Sequence, residues 1–153
     1  MTDLTALSIL DRAGDLKLLC VGDIMLDRFV YGWIDRVSPE APVPILLENR
    51  RVAMPGGAAN VARNLASLGA TVTLIGVVGD DAEGRELANI IGEIDRVAVD
   101  VISVRGRPTT LKSRFIASGQ QMIRVDSEET SPINSNTASK IISAIQDLSL
   151  IHI

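Results

Sequence analysis

Apolar positions along the chain recur with two different periods, and the alternation between them sets the expected architecture. Lys17-Leu-Leu-Cys-Val-Gly22 is a short apolar run closed by glycine, the pattern of a strand buried on both faces of a parallel sheet. From Ala58 to Leu68 the period changes. Val61, Leu65 and Leu68 recur at i, i+4 and i+7 with Ala62 and Ala66 beside them, which predicts a helix packed on a sheet by that face and stopped at Gly69. Thr71 to Val78 is β-branched and apolar, a second strand ending in Gly79-Asp80-Asp81. Asp81 or Asp80 then caps a helix whose buried stripe is Leu87, Ile90, Ile91 and Ile94, and a third strand is expected near Arg96 to Val101. After Pro132, Asn136 or Ser135 caps a helix burying Ala138, Ile141, Ile142 and Ile145, and Leu148 to Ile153 starts another strand. The order predicts an α/β fold with a doubly wound, mainly parallel sheet over residues 17–153. Leu4 to Arg12 reads as a short surface helix ending at Gly14, so residues 1–16 form an N-terminal helical extension.

Two segments break this rhythm. Phe29 to Trp33 and Pro44 to Arg51 read as short strands around Ser38-Pro-Glu-Ala-Pro-Val-Pro44, whose prolines exclude a helix and disfavour a central strand. Thr109 to Ile116 and Gln121 to Val125 alternate polar and apolar side chains around Ser118-Gly119 and read as an antiparallel hairpin. Together the segments, roughly 29–51 and 108–126, are expected to form one small β lid. Its apolar residues Val30, Trp33, Ile45 and Leu47 suit either a water-excluding cover or a subunit interface, and the pattern leaves both open. Lys112 and Arg114, two apart on a strand, share a face and are either a phosphate clamp or a solvated charged surface.

Composition narrows the partners. The 153 residues are 46% hydrophobic with a net charge of −4, so a core is available and no basic block invites nucleic acid or an anionic membrane. Aromatic residues at 3% provide no stacking platform for single strands, which leaves small molecules. Cys20 is the only cysteine, so no intrachain disulfide forms, and the acidic N-terminus resembles neither a signal peptide nor a membrane span; a cytoplasmic location is expected. His152, the only histidine, sits in an apolar run and reads as a core or terminal residue rather than a base.

Candidate chemistry gathers at two places. Asp23 and Asp27 follow the first strand, where open α/β sheets bind ligands; the alternative is a turn cap at Asp23 and a solvated loop residue at Asp27. Gly56 and Gly57 open the first long helix, so a ligand can approach backbone N–H groups at its positive end, and Asn60 presents a donor and an acceptor suited to a hydroxyl. A dinucleotide-binding fold would need G-x-G-x-x-G after the first strand, where this chain has Gly22-Asp23-Ile24-Met25.

Gly56-Gly57-Ala58-Ala59-Asn60-Val61-Ala62, with Gly69 and Gly79 at their spacing and the interrupting lid, resembles the N-terminal signature of the ribokinase-like (PfkB) carbohydrate kinases. Gly22-Asp-Ile-Met-Leu-Asp27-Arg28, Ser38 to Pro44 and Gln120-Gln121-Met-Ile-Arg124-Val-Asp126 are similar to the branch of that family that phosphorylates heptose 7-phosphate. The resemblance implies ATP- and Mg2+-dependent phosphorylation of O1 of D-glycero-β-D-manno-heptose 7-phosphate, on the route to ADP-heptose and lipopolysaccharide. It implies sugar binding by Asp27, Gly56, Gly57 and Asn60, a 7-phosphate contact by Lys112 and Arg114, support from Gln121 and Arg124, and a homodimer through the lid. The family's late Gly-Ala-Gly-Asp turn, which carries the catalytic aspartate and an anion hole, has no counterpart here, so this chain is expected to hold the sugar-binding half and to be inactive alone. Leu148 to Ile153 matches the translation of a common transposase sequencing adapter and is expected to be a non-native end. A kinase of another sugar, or an inert sugar-binding or dimerisation module, are the alternatives.

Overall fold

A computed structural model describes residues 12–150, so the expected helix over Leu4–Arg12, except for Arg12 itself, and the residue His152 lie outside the described residues. A single 3-10 turn, Ala13–Asp15, leads into β1 (Lys17–Val21). Then follow β2 (Ile24–Val37), β3 (Pro44–Gly57), α1 (Ala58–Ser67), β4 (Thr71–Gly79), α2 (Ala82–Gly92) and β5 (Val97–Val104). The chain ends in β6 (Leu111–Ala117), β7 (Gln120–Ser127) and α3 (Ser135–Leu150). The strands form a three-stranded parallel sheet, β1-β4-β5, and a four-stranded lid, β3-β2-β6-β7.

β4 is the centre of the parallel sheet because it is covered on both faces. Val72, Leu74 and Ile75 are fully buried, which is why its sequence is an almost uninterrupted apolar run. Val72, Leu74 and Val78 point to Ala59, Ala62 and Ala66 of α1 and Leu87 and Ile91 of α2. α3 stands over the opposite face of β4 and β5, with a cavity of about 540 Å³ between Thr73, Val99 and its residues Lys140 to Leu148. Helices therefore flank the sheet on both sides, as expected for the doubly wound arrangement.

Several expectations are corrected. β1 is not buried on both faces: as an edge strand it buries Leu18 and Cys20 partly while Leu19 and Val21 are 43% and 44% exposed. In α1 the sheet-facing positions are the alanines, because close approach of helix to sheet leaves no room for larger side chains; Val61 and Leu68 lie outward. Ile142 is 54% exposed rather than buried, the α3 cap is Asn134, whose Oδ1 accepts from Thr137 N at 2.8 Å, and residues 148–150 continue the helix instead of starting a strand. Asp81 does cap α2, accepting from Gly84 N at 2.8 Å.

The lid strands are longer than their patterns suggested. β2 and β3 each run 14 residues and pair antiparallel from Ile24↔Gly57 to Val37↔Pro44, closed by a turn in which Ser38 N donates to Val43 O. Pro44 and Pro55 are tolerated because β3 is a sheet edge. β6 then pairs parallel with β2, placing Lys112 beside Asp27 and Arg114 beside Phe29.

Candidate functional site

Asp27 lies within β2, not in a loop, and the two-residue strand period decides what surrounds it. Ile24 and Leu26 point into the core, so Met25, Asp27 and Phe29 take the opposite face of the lid. β6 adds Lys112 and Arg114 to that face, and β7 adds Arg124 and Asp126, whose register partners are Arg114 and Lys112. A bulge beside Met122 brings Gln121 opposite Ile116, on the same face as Arg124 despite their odd spacing. The topology thus gathers Asp27, Lys112, Arg114, Gln121 and Arg124 on one surface.

Charges on that face neutralise one another. Arg114 Nη1 donates to Asp27 Oδ1 at 2.6 Å, with the side chains about one-fifth exposed, and its guanidinium lies 5.1 Å from the centre of the Phe29 ring. Lys112 Nζ donates to Asp126 Oδ2 at 3.0 Å and Glu128 Oε2 at 3.1 Å, while Arg124 Nε reaches Asp126 Oδ1 at 2.9 Å. Hydrogen bonds to Asp126 and Glu128 raise the Lys112 ammonium above the usual lysine range, and Lys112 in turn holds the Asp126 carboxyl below the usual carboxylate range.

The glycine pair meets this face directly. A side chain at Gly56 would occupy the space taken by the Asp27 carboxylate and Met25, and one at Gly57 would collide with the Asp23 carbonyl. Gly57 also has φ of +61°, a conformation that a side chain strains. The missing side chains therefore make room for the chain itself, and the glycines bring Asp27 against the start of α1. Asp23 makes a backbone contact there, its carbonyl accepting from Ala58 N at 2.9 Å. Asn60, in the first turn of α1, has its Oδ1 held by Arg63 Nη2 at 2.7 Å, which turns the amide NH₂ toward other partners.

A cleft of about 490 Å³ opens beside Met25, at the carboxyl ends of β1 and β4. Val21 to Asp23, Ile75 to Val77, Thr110 and the 128–133 segment line it, and Glu128 joins it to the Lys112 ion pair. This is where a doubly wound sheet receives ligands.

Three residues that the sequence reading passed over hold the surroundings. Thr109, 3% exposed, donates its hydroxyl to Asp81 Oδ1 at 2.6 Å and its N–H to Oδ2 at 2.7 Å, and its Oγ1 accepts from Gly79 N at 2.8 Å. Burial opposes ionisation of Asp81, but the bonds from Thr109 and Gly84 outweigh it and hold the carboxyl below its usual range. Arg28 ties β2 to α2 through Glu86 at 2.6 Å, and Arg63 orients Asn60. For Arg63 the three-residue helical spacing was a usable signal; for Thr109 only the fold brings the partners together.

The pfkB family carbohydrate kinase model matches residues 15–153. The chain belongs to the pfkB family. Among this kinase family's members, the chain is 54% identical over 134 residues to the bifunctional protein HldE of Hyphomonas neptunium, covering 88% of this chain and 28% of that protein. It is 50% identical over 119 residues to the D-beta-D-heptose 7-phosphate kinase of Bordetella bronchiseptica, covering 78% of this chain and 38% of that one. The chain thus spans well under half the length of these curated relatives. Phosphofructokinase-2 from Escherichia coli, solved in complex with fructose-6-phosphate, superposes with a TM-score of 0.62 at 24% identity over 86% of this chain and 41% of that chain. Ribokinase from Arabidopsis thaliana, complexed with ribose and ATP, superposes with a TM-score of 0.56 at 23% identity over 73% and 35%. Both likenesses establish the ribokinase-like fold of this pfkB-family chain.

Proposed function

We propose that this chain supplies the sugar-binding half of an ATP-dependent kinase that phosphorylates O1 of D-glycero-β-D-manno-heptose 7-phosphate. The observation that carries the reading is the single lid face on which Asp27 meets Arg114 at 2.6 Å beside the Gly56–Gly57 start of α1. A carboxylate next to basic side chains suits a ligand with hydroxyls at one end and a phosphate at the other. The identities to HldE and heptose 7-phosphate kinase support heptose over another sugar. In this role Asp27 and Asn60 fix hydroxyls, Lys112 and Arg114 take the 7-phosphate, and Gln121 and Arg124 frame the second lid strand. ATP with Mg2+ supplies the phosphoryl group in carbohydrate kinases of this fold. In this reading these residues bind and orient the acceptor, a large part of phosphoryl-transfer catalysis.

Calorimetric titration of the chain with heptose 7-phosphate tests this. Saturable binding that is lost in Asn60→Ala is expected; equal affinity for unrelated sugar phosphates would sink the assignment. In a coupled ADP-release assay the chain alone should stay at the no-protein blank.

The outer lid surface favours a second property. Val37, Met122, Ile123 and Val125 are 50–62% exposed, and Ile34, Pro44, Leu46 and Phe115 line a groove beside Met122 and Ile123. An apolar surface of this kind suits a homodimer through the lid. Sedimentation should show a dimer that Ile123→Asp converts to monomer; a wild-type monomer at high concentration would overturn it. No described helix is long and apolar enough to cross a membrane.

A further inference from the structure

Around Asp27 the opposite charges of the lid face are paired, while Arg50, farther along that face, lies over the Tyr31 ring. Lys112, Arg114 and Arg124 stand against Asp27, Asp126 and Glu128, and each of these cations has at least one carboxylate within 3.1 Å. An arriving phosphate therefore finds no uncommitted cation in this set. It competes for one with the carboxylate that already neutralises it, and a carboxylate that loses its cation needs another donor, because a partly buried charge left without a partner is costly. Lys112 is the harder to move, since Asp126 and Glu128 both accept from it. Arg114 has a single carboxylate, Asp27, supplemented by the Phe29 ring and a 3.4 Å contact to the Lys112 carbonyl.

We infer that the Asp27–Arg114 pair is a lock that opens only for a ligand carrying both a phosphate and a sugar hydroxyl, so that Arg114 sets the preference for phosphorylated over free sugar. The inference rests on the sugar-phosphate reading above. The phosphate takes the guanidinium and the hydroxyl takes the carboxylate released, so each exchange makes the other easier. A free sugar offers Arg114 no anion, and inorganic phosphate carries no sugar hydroxyl that reaches Asp27 while its own oxygens occupy Arg114. The coupling is reciprocal: whatever the hydroxyl contributes to phosphate affinity, the phosphate contributes to hydroxyl affinity.

This differs measurably from two simpler roles. If Arg114 only contacted phosphate, removing it would leave the affinity for a free sugar unchanged. If the pair only stiffened the lid, removing either member would weaken every ligand. Under the lock, Arg114→Gln frees Asp27, so unphosphorylated heptose binds more tightly, by a factor of about ten on the usual scale of such couplings, while heptose 7-phosphate binds more weakly. Asp27→Asn frees Arg114, so inorganic phosphate binds more tightly by a similar factor of about ten.

The experiment is an NMR titration of the chain and both variants with inorganic phosphate, unphosphorylated heptose and heptose 7-phosphate, following the backbone amides in all three and the Arg114 Nε–Hε signal in wild type and Asp27→Asn. The amide spectrum verifies folding before each titration, and the near-isosteric Asp27→Asn decides the question if Arg114→Gln does not fold. The opposite gains for free sugar in one variant and for phosphate in the other are expected. Unchanged or weaker phosphate binding in Asp27→Asn, or unchanged or weaker heptose binding in Arg114→Gln, would overturn the lock. The phosphate arm uses no sugar: failure of wild type to bind heptose 7-phosphate counts against the proposed function, whereas failure of Asp27→Asn to gain phosphate affinity counts against the lock alone.

Discussion

The two sheets of this molecule are held together by different physics. In β1-β4-β5 the central strand buries Val72, Leu74 and Ile75 completely, and its neighbours across the face are Ala59, Ala62, Leu87 and Ile91. Cohesion there is apolar contact, which salt and pH barely touch. In β3-β2-β6-β7 the last strand is exposed along its whole length, and one face carries alternating charges. Beyond the root of β2, where Ile24, Leu26 and Val30 are buried, its cohesion is the backbone ladder plus ion pairs that are individually weak in water. The contrast separates support from recognition: the parallel sheet fixes positions, and the lid offers charges that a ligand can rearrange at small cost.

The largest test of that division is Leu74→Ala, which empties a fully buried site and should cost about 2–5 kcal/mol in denaturant melts. On the lid, Gln120→Ala at an exposed position of β7 should change stability by less than about 0.5 kcal/mol. Comparable losses in the two variants would erase the distinction. Next in size is the joint between the regions. Asp81→Ala removes the cap of α2 and both bonds to Thr109 at the root of β6, with an expected loss of about 1–3 kcal/mol. Because folding lowers the Asp81 carboxyl below its unfolded value, its contribution is complete above the unfolded pKa and disappears as pH falls through the lower folded one. Acid titration should therefore show a loss beginning below about pH 4 that is shallower in Asp81→Asn. Asp126 is lowered in the same direction by Lys112, but it is exposed, so high salt should flatten its share and leave that of Asp81.

The sequence made some of this legible and hid the rest for identifiable reasons. β4 was readable because burial on both faces writes an unbroken apolar run, and the cap at Asp81 was readable because it acts within one turn. β1 carries the same kind of run yet lies at an edge, since a five-residue pattern does not say how many neighbours a strand has. The signature glycines could be located, but their reason could not: the Asp27 carboxylate fills the space at Gly56, a contact 29 positions away in the chain that only the β2–β3 register creates. Lys112 and Arg114 were correctly placed on one face by their spacing, whereas the carboxylates that engage them come from β2, β7 and the segment after it.

α1 provides the smallest and most discriminating test, because there only part of the expected face is inside. Ala62, Ala66 and Leu65 pack on the core as expected, yet Val61 is 49% and Leu68 54% exposed, and the fully inward positions are alanines. A close helix–sheet contact selects small residues, and apolar periodicity reports size as well as burial. Ala62→Leu should therefore destabilise by about 1–3 kcal/mol through overpacking at a fully buried position. Val61→Ser, one residue away, should stay within about 0.5 kcal/mol. Chemical denaturation of the two variants settles which face is inside: a tolerated Ala62→Leu beside a damaging Val61→Ser would rotate the helix by about 100°, turn Asn60 with it, and remove the amide from the site proposed for the sugar.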